Sequence, residues 1–304
     1  MIWIIGSAGM LGTELVERCK SQGVDYVGSD RDVSILEPEA LQGFLTSLDE
    51  KGQKPDWIVN CAAYTAVDKA EDEPERCYSL NALGPQNIGR IASAFGVRVL
   101  HISTDYVFAG NGTRPYSEDD PVAPQSIYGK TKAEGERLLL DACPNAVIVR
   151  TAWLYGQYGP NFVATMLKLM NTRDSIGVVA DQKGSPTWAR DLAGAILTIV
   201  RTPNAEAGIY HFTDEGEITW FEFAKEIYAQ GRACGLIEHE CEVRPLTTVE
   251  YPTKARRPAY SVLSKGKIRT TFGVQVPEWR DSLGRFLEEE AQDQQVRNEQ
   301  ARRG

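Results

Sequence analysis

The fold is decided at the start of the chain by the stretch Ile2-Trp3-Ile4-Ile5-Gly6-Ser7-Ala8-Gly9-Met10-Leu11-Gly12. Its first four residues are apolar, as in a parallel strand covered on both faces. The glycines follow in the spacing G-x-x-G-x-x-G, and a helical pattern begins after them. In such a turn, glycines let backbone N–H groups approach a pyrophosphate, which the helix N-terminus also attracts. We therefore predict a dinucleotide site contacted by Gly6, Gly9, Met10, Leu11 and Gly12; a turn selected only for close packing is the alternative.

A second strand, predicted at residues 26–28, follows at the distance of a βαβ unit and ends in Ser29-Asp30-Arg31-Asp32-Val33. Asp30 can accept hydrogen bonds from the hydroxyls of an adenosine ribose, which favours NADH. Arg31 can pair with a 2′-phosphate, which favours NADPH. Asp32 and Val33 are candidates for the edge and face of the adenine. The sequence leaves the choice of nicotinamide cofactor open.

Two later strands also end in residues suited to a ligand site. The first, at 57–60, leads into Cys61, Ala62, Ala63 and Tyr64. Small side chains there let a flat cofactor lie against the backbone, although alanines also simply pack well. The second, at 97–102, leads into Ser103, Thr104 and Asp105, and ligands bind at the carboxyl ends of parallel strands. Thr104 is predicted to donate a hydrogen bond to a substrate oxygen and Asp105 to orient it, or else Thr104 only caps a turn.

The stretch at 126–132, SIYGKTK, is predicted to open a helix. Tyr128 and Lys132 are four residues apart and therefore share one helix face. A tyrosine normally titrates near ~10, and a nearby ammonium lowers its pKa. The pair is thus a candidate proton-donating device, although the same spacing occurs on many solvated helix faces.

Strands and helices alternate through residue 150, which predicts an α/β fold with a doubly wound parallel Rossmann sheet. After Thr151 the pattern changes, and a strand at about 209–212 is expected to return the chain to the sheet. We predict a dinucleotide-binding domain at 1–150 plus about 187–212. A smaller, interleaved α/β substrate domain is expected at 151–186 plus about 213–287, with a polar tail, frayed or disordered, at 288–304.

The bulk composition excludes several classes of protein. The 304 residues carry a formal net charge of -9, which argues against a nucleic-acid binder or a protein of anionic membranes. No apolar run approaches the ~18 residues of a membrane span. The first residues lack a basic region and are interpreted as a buried strand, not a signal peptide. The six cysteines form no C-x-x-C pair, which indicates reduced thiols and a cytoplasmic protein.

With these features in place, the chain resembles the extended short-chain dehydrogenase/reductases that act on nucleotide sugars. Further stretches are similar to the dTDP-4-dehydrorhamnose reductase family. These stretches are VNCAAYTAVDKAE at 59–71, STDYVF at 103–108, YGKTK at 128–132, RTAWLYG at 150–156, NF at 161–162, DQKGSPT at 181–187 and RP at 257–258. The resemblance covers about residues 1–287.

The resemblance implies an NADPH- or NADH-dependent oxidoreductase that reduces the C4 ketone of dTDP-4-dehydro-6-deoxy-L-mannose to dTDP-L-rhamnose. Tyr128 would donate the proton, Lys132 would hold the nicotinamide ribose and lower the pKa of Tyr128, and Thr104 would bind the carbonyl oxygen. It also implies sugar and diphosphate contacts from Asp105, Tyr106, Trp153, Asn161 and Arg257. For Trp153, a core aromatic at the domain junction is the alternative.

One departure from the family concerns a metal. Some members form dimers bridged by magnesium on glutamates, and Glu14 matches one such position. The position that would carry another acid is Arg190 here, and a cation repels Mg²⁺. We therefore predict no structural metal, and either a monomer or a homodimer.

Two alternative functions stay open. A nucleotide-sugar 4,6-dehydratase or epimerase would share the fold, but the dehydratases carry an acid immediately after the Thr-Asp pair, where this chain has Tyr106. A non-catalytic regulatory subunit would share it too, such as the one that binds methionine adenosyltransferase. The intact Thr104, Tyr128 and Lys132 favour an enzyme. The sequence does not decide the nucleotide of the substrate.

Overall fold

The computed structural model describes residues 1–303. Its strands are β1 (Ile2–Ile5), β2 (Tyr26–Ser29), β3 (Trp57–Asn60), β4 (Arg98–Thr104), β5 (Val147–Thr151), β6 (Leu154–Tyr155), β7 (Ser175–Val179), β8 (Lys183–Gly184), β9 (Thr187–Trp188), β10 (Gly208–His211), β11 (Ile218–Thr219) and β12 (Glu242–Leu246).

Its helices are α1 (Met10–Ser21), α2 (Pro38–Glu50), α3 (Val67–Ala70), α4 (Pro74–Tyr78), α5 (Gly84–Phe95), α6 (Ile127–Ala142), α7 (Phe162–Met170), α8 (Ala189–Arg201), α9 (Trp220–Ala233), α10 (Gly266–Phe272) and α11 (Trp279–Arg303). A π-helical turn at Ser79–Leu83 joins α4 to α5, and a 3-10 turn at Asp105–Val107 follows β4.

Within residues 1–303, six parallel strands form the central sheet in the order β2-β1-β3-β4-β5-β10. The chain moves outward from β1 to β2 and then crosses back to β3 on the other side of β1. Such a reversal opens a crevice at the carboxyl ends of the two inner strands. The predicted doubly wound parallel sheet is confirmed, and β10 returns to it as expected.

The sheet is covered on both faces, which explains its continuous apolar strands. In β1, Ile2 and Ile4 face the cluster under α1 and α8, whereas Trp3 and Ile5 face the cluster under α2 and α5. All four are 4% exposed or less. At roughly 25 cal/mol per Å² of apolar surface, such strands supply much of the stability of the fold.

Besides the two clusters on the faces of the sheet, another hydrophobic cluster lies outside it. It is formed by α7, α9, the first part of α11 and the short strands between them, with Phe223, Trp188 and Phe286 among its members. Helix α9 begins at Thr219 with a capping box, because Thr219 accepts from the N–H of Glu222 and the Glu222 carboxylate accepts in return. This cluster is the core of the interleaved region that follows β5.

Two segments bear on the domain bounds, which stay a prediction. Ile268 and Phe272 of α10 pack into the cluster under α1 and α8, beside Tyr210 of β10. Residues 266–274 therefore belong with the sheet and not with the second region. The predicted polar tail continues α11 as a helix as far as residue 303, and residue 304 lies outside the described residues. In residues 1–303, no helix combines the length and apolarity needed to cross a bilayer.

Candidate active site

The glycine turn after β1 is shaped to receive an anion. Gly6 has φ of +77°, and a Cβ there would lie 2.9 Å from the backbone nitrogen of Ala62. A Cβ at Gly12 would lie 2.7 Å from Cα of Ser7. Among the described residues of the first turn of α1 none is acidic, and Gly9 provides no side-chain cap. The turn therefore fits a pyrophosphate, which backbone N–H groups at an uncapped helix start can bind.

The end of β2 lies against this turn. The Asp30 carboxylate accepts hydrogen bonds from the N–H of Ala8 (3.2 Å) and of Arg31 (3.0 Å). Asp32 accepts from the N–H of Asp30 at 2.6 Å. The side chains of Arg31 and Asp32 are exposed, whereas Val33 is buried against the sheet. Asp30 thus stands beside the predicted pyrophosphate turn, as a ribose ligand should.

The predicted cofactor segment Cys61, Ala62, Ala63 and Tyr64 is held at its two ends by asparagines. Asn60 Oδ1 accepts from the N–H of Ala62 at 3.1 Å. Asn81 accepts from the N–H of Tyr64 at 2.8 Å and donates to its carbonyl at 3.0 Å. Both asparagines are 1% exposed. Sequence reasoning missed their role, although for Asn60 a buried amide at the end of an apolar strand was the available signal.

Helix α6 carries Tyr128 directly onto the carboxyl end of β4. Ser126 caps the helix by accepting from the N–H of Gly129 at 3.1 Å. A Cβ at Gly129 would lie 2.2 Å from the carbonyl oxygen of Tyr106. Because glycine has no side chain, α6 can pack directly against the 3-10 turn that follows β4. The rings of Tyr128 and Tyr106 meet edge to face, with centroids 5.5 Å apart. Thr104 lies close enough to Tyr128 to affect the pKa of its phenol, so the predicted proton donor and second donor lie near each other.

The hydroxyl of Thr104 has one proton, and in this structure it goes to Asp105. Thr104 donates to Asp105 Oδ1 at 3.0 Å and accepts from the N–H of Tyr106 at 3.2 Å. Asp105 is 2% exposed, and its Oδ2 meets no hydrogen-bond partner among the described residues. Burial raises the pKa of Asp105 to about 6. The predicted bond from Thr104 to a substrate oxygen therefore requires the hydroxyl to turn away from Asp105.

The Tyr128–Lys132 pair behaves differently from the prediction. Burial raises the pKa of Tyr128, and the nearby Thr104 opposes this only in part. The spacing had predicted a pKa lowered by Lys132, and the direction is the opposite. The amine of Lys132 contacts β4 instead of the phenol of Tyr128. Lys132 Nζ lies 3.2 Å from Nε2 of His101 and donates to the carbonyl of Ile102 at 2.6 Å. Burial lowers the pKa of Lys132 itself to about 8.

Arg257 reaches the same strand end from the loop after β12. Its Nη1 donates to the hydroxyl of Tyr106 at 2.9 Å, and its Nη2 pairs with Asp68. Nearby charge and hydrogen bonds raise the pKa of Arg257 although burial lowers it, so the side chain is cationic. Sequence reasoning missed Asp68, which lies inside the 59–71 motif. Asp105, Tyr106 and Arg257 are therefore grouped near Tyr128 as predicted.

The two other predicted substrate residues lie in the second region. Trp153 has φ of +48°, unusual for a bulky residue, and stacks on Trp220 with centroids 3.5 Å apart. Trp220 was missed, although an aromatic directly after the Thr219 cap was a visible signal. Asn161 accepts from the N–H of Ala164 at 3.0 Å and donates to the carbonyl of Gly156 at 2.7 Å. Its side chain caps α7 in this ligand-free chain, and its contact with substrate stays a prediction.

Arg190 lies beside Glu14, the residue that matches a magnesium-binding position in some members of the family. Arg190 pairs with Glu14 at 3.1 Å and with Glu289 at 2.5 Å. Glu14 is 1% exposed, and burial raises its pKa. Within the described part of the chain, no cluster of three or more His, Cys, Asp or Glu side chains could hold a metal ion. The lack of a structural metal stays a prediction, with Arg190 as its physical basis.

The sequence of this chain is similar to those of named nucleotide-sugar reductases. Residues 1–292 match the family model described as the RmlD substrate binding domain. The chain is 41% identical over 284 residues to a dTDP-4-dehydrorhamnose reductase of Aggregatibacter actinomycetemcomitans, covering 92% of this chain and 96% of that one. It is also 41% identical over 291 residues to a probable dTDP-4,6-dihydroxy-2-methyloxan-3-one 4-ketoreductase of Streptomyces antibioticus, covering 93% of each.

A solved structure is similar throughout. The dTDP-4-dehydrorhamnose reductase of Bacillus anthracis, in complex with NADP, has a TM-score of 0.88 and 37% identity, covering 95% of this chain and 98% of that one. Both the sequence and the arrangement of the sheet, the glycine turn and the second region are therefore shared with named reductases. This chain belongs to the dTDP-4-dehydrorhamnose reductase family.

Proposed function

We propose that this chain reduces the C4 ketone of dTDP-4-dehydro-6-deoxy-L-mannose to dTDP-L-rhamnose, with NADPH as the reductant. One observation carries the proposal: α6 sets Tyr128 against Thr104 at the carboxyl end of β4, next to the sheet's cofactor crevice. The relatives named as reductases support the substrate, and the NADP complex of the Bacillus anthracis protein supports the cofactor.

The cofactor is assigned to the sheet. The glycine turn holds the pyrophosphate, Asp30 faces the adenosine ribose, and Cys61, Ala62, Ala63 and Tyr64 border the crevice. Exposed Arg31 is the cation available to a 2′-phosphate, which favours NADPH over NADH. Lys132 is assigned to the nicotinamide ribose.

The chemistry follows from the two donors. When bound, the reduced nicotinamide supplies the hydride, which leaves negative charge on the C4 oxygen. Tyr128 donates its phenolic proton to that oxygen, and the raised pKa keeps the proton on the ring until hydride transfer places negative charge there. Thr104 turns its hydroxyl from Asp105 to the same oxygen and stabilises the developing charge.

The substrate is assigned to the side of the crevice formed by the second region. Asp105 and Tyr106 face the sugar, and the planar fork of Arg257 suits a diphosphate once it exchanges Asp68 for phosphate oxygens. Trp153, held on Trp220, offers a flat apolar surface beside them. We also propose a cytoplasmic protein, because its six cysteines, all within residues 1–303, are free thiols.

Steady-state kinetics test the proposal. Purified protein should oxidise NADPH only when the 4-keto dTDP-sugar is added, and the product should be dTDP-L-rhamnose by mass and retention time. Parallel runs with NADH and with the UDP-linked sugar give the cofactor and nucleotide preference. Lack of any substrate-dependent oxidation with either cofactor would contradict the assignment and favour a non-catalytic subunit of the same fold.

A second candidate is reduction of a different nucleotide-linked ketosugar. The Streptomyces antibioticus relative, named as a 4-ketoreductase of another dTDP-sugar, supports it at the same level of identity. Both candidates place the ketone between Tyr128 and Thr104, so turnover of a panel of 4-keto dTDP-sugars separates them. A dehydratase is not favoured, because Tyr106 occupies the position of the acid and binds Arg257.

A further inference from the structure

His101 of β4 is fully buried between two groups that normally donate hydrogen bonds. Its Nδ1 lies 2.9 Å from the amide nitrogen of Asn60, and its Nε2 lies 3.2 Å from Nζ of Lys132. A neutral imidazole has one N–H and one lone pair. One neighbour must therefore accept a hydrogen bond from the ring.

The orientation of Asn60 decides which neighbour accepts. The backbone N–H of Ala62 can only donate, and it lies 3.1 Å from Asn60 Oδ1. The amide nitrogen of Asn60 consequently faces His101 and donates to Nδ1. Burial keeps the pKa of His101 well below its usual value, so the ring is neutral. Its single proton is then on Nε2.

That proton points at Lys132. An ammonium has no lone pair and cannot accept it, whereas a free amine accepts one hydrogen bond and keeps two protons to donate. Lys132 uses one of these on the carbonyl of Ile102 at 2.6 Å. The free amine is therefore the form of Lys132 that satisfies every group in this network.

Of the charges around Lys132, Glu136 on the same helix favours the ammonium and so opposes the effect of burial. Its carboxylate is also engaged by the buried Arg150 of β5, which it meets with two hydrogen bonds of 2.9 and 2.7 Å. Burial raises the pKa of Cys77 of α4, so it stays a thiol. Tyr128, on the helix face of Lys132, keeps its proton for the same reason. The polar contact that sets the form of Lys132 thus comes from β4.

We infer that His101, fixed by Asn60 as the Nε2–H tautomer, is a positioning residue that shifts Lys132 toward the free amine in the ligand-free enzyme. The functional consequence rests on the proposed role of Lys132 at the nicotinamide ribose. When ribose hydroxyl oxygens replace His101 as its partners, the amine takes up one proton from solvent and becomes the ammonium. Cofactor binding is therefore coupled to proton uptake.

The tautomer is tested by NMR on the native, ligand-free enzyme. The chain has three histidines, so ¹⁵N-histidine labelling gives three ring patterns, which the variant His101→Phe assigns. The expected pattern for His101 is a protonated Nε2 and an unprotonated Nδ1, unchanged between about pH 6 and pH 9. A proton on Nδ1, or a ring that becomes cationic in this range, would overturn the inference without touching the proposed reaction.

The variant Asn60→Asp tests the cause. One carboxylate oxygen still accepts from Ala62, but the other can only accept from His101, which moves the ring proton to Nδ1. Nε2 then becomes an acceptor and favours the ammonium of Lys132. We expect the ¹³Cε titration of Lys132, with a midpoint at about 8 in the native enzyme, to rise by at least about one pH unit in the variant.

The matched control is Asn81→Asp, which introduces a buried carboxylate that does not contact His101. In this control the ring proton should stay on Nε2. A tautomer that stays on Nε2 in Asn60→Asp, or changes equally in both variants, would show that Asn60 does not set it.

Calorimetry of NADP⁺ binding tests the coupling. Titrations at about pH 8.5, in buffers of different ionisation enthalpy, should show uptake of roughly 0.7 proton per site, and Asn60→Asp should lose most of it. Tight binding with no uptake by the native enzyme would refute the coupling. If NADP⁺ does not bind at all, the proposed function fails, while the tautomer result still stands on its own.

Discussion

The substitution Gly129→Ala tests whether the contact between α6 and β4 sets the catalytic geometry. The added methyl carbon would lie 2.2 Å from the carbonyl oxygen of Tyr106 and 3.0 Å from its carbonyl carbon. Neither atom belongs to a flexible side chain, because both are backbone. The start of α6 must therefore move away from the end of β4.

The size of that movement follows from the distances. A Cβ atom essentially never approaches another heavy atom within 3.0 Å, so relieving a 2.2 Å approach requires at least 0.8 Å. Tyr128 precedes Gly129 and moves with it, away from Thr104. A misplacement of about 1 Å at a reacting group can reduce a rate by about 10²-fold, which corresponds to about 2.7 kcal/mol of transition-state stabilisation. Overpacking of this kind also costs roughly 1–3 kcal/mol of folding stability.

The assay is the reduction of the 4-keto dTDP-sugar, with kcat and KM measured separately and the affinity for NADPH measured by fluorescence. We expect kcat to fall by about 10²-fold while NADPH affinity stays within a few-fold. The glycine turn, to which we assign the cofactor's phosphates, lies on another element and should not move.

Gly43→Ala in α2 is the matched control, because a Cβ there has no heavy atom within 4 Å. It should keep full activity and gain roughly 0.5–1 kcal/mol of stability, as alanine replaces glycine inside a helix. A Gly129→Ala enzyme with kcat within about threefold of the native value would refute the reasoning, since the helix would then have absorbed the methyl group without displacing Tyr128.

Three other changes test separate parts of the site. Tyr128→Phe should lower turnover by about 10²–10⁴-fold with cofactor affinity nearly unchanged, and near-normal turnover would rule out its role as proton donor. Arg190→Glu removes the cation between Glu14 and Glu289, so thermal stability should fall and Mg²⁺ should restore it, with magnesium-dependent association in gel filtration; the same association in the native chain would contradict the prediction of no structural metal. Because the pKa of Asp105 is raised to about 6, its contribution to stability is present below the unfolded pKa and is lost as pH rises through about 6. Asp105→Asn should therefore gain about 2–3 kcal/mol relative to the native protein between pH 4 and pH 7, measured by urea unfolding, and a pH-independent difference would show that Asp105 is not the group responsible.

The main features of the site were predictable because each has a local signature. A glycine turn between an apolar strand and a helix needs only neighbouring residues to be recognised, and so does the Ser126 cap that opens α6. Parallel strands have their carboxyl ends at the same edge of the sheet, so residues that follow different strands can be expected to lie close together. In this way Gly6, Thr104 and Tyr128 could be assigned to one crevice.

Other features depend on contacts that no single motif contains. Asn161 has the right type for a sugar ligand and stays a prediction, although its side chain also bonds Gly156 and caps α7. Residues 266–274 have no local feature that distinguishes one domain from the other, and their packing beside Tyr210 comes only from the folded chain. Asn81, 17 residues from Tyr64 in the chain, became visible only when this partner was known.

The sequence by itself determined the fold class, the crevice and the chemical types of the residues that line it, because these depend on periodicity, glycine spacing and family motifs. The tertiary structure decided the electrostatic state of those residues. The spacing of Tyr128 and Lys132 predicted a lowered phenol pKa, but burial raises it, and Lys132 is directed to His101, 31 positions away in the chain. A pKa depends on desolvation and on partners brought together by folding, and a helical spacing of four residues contains neither.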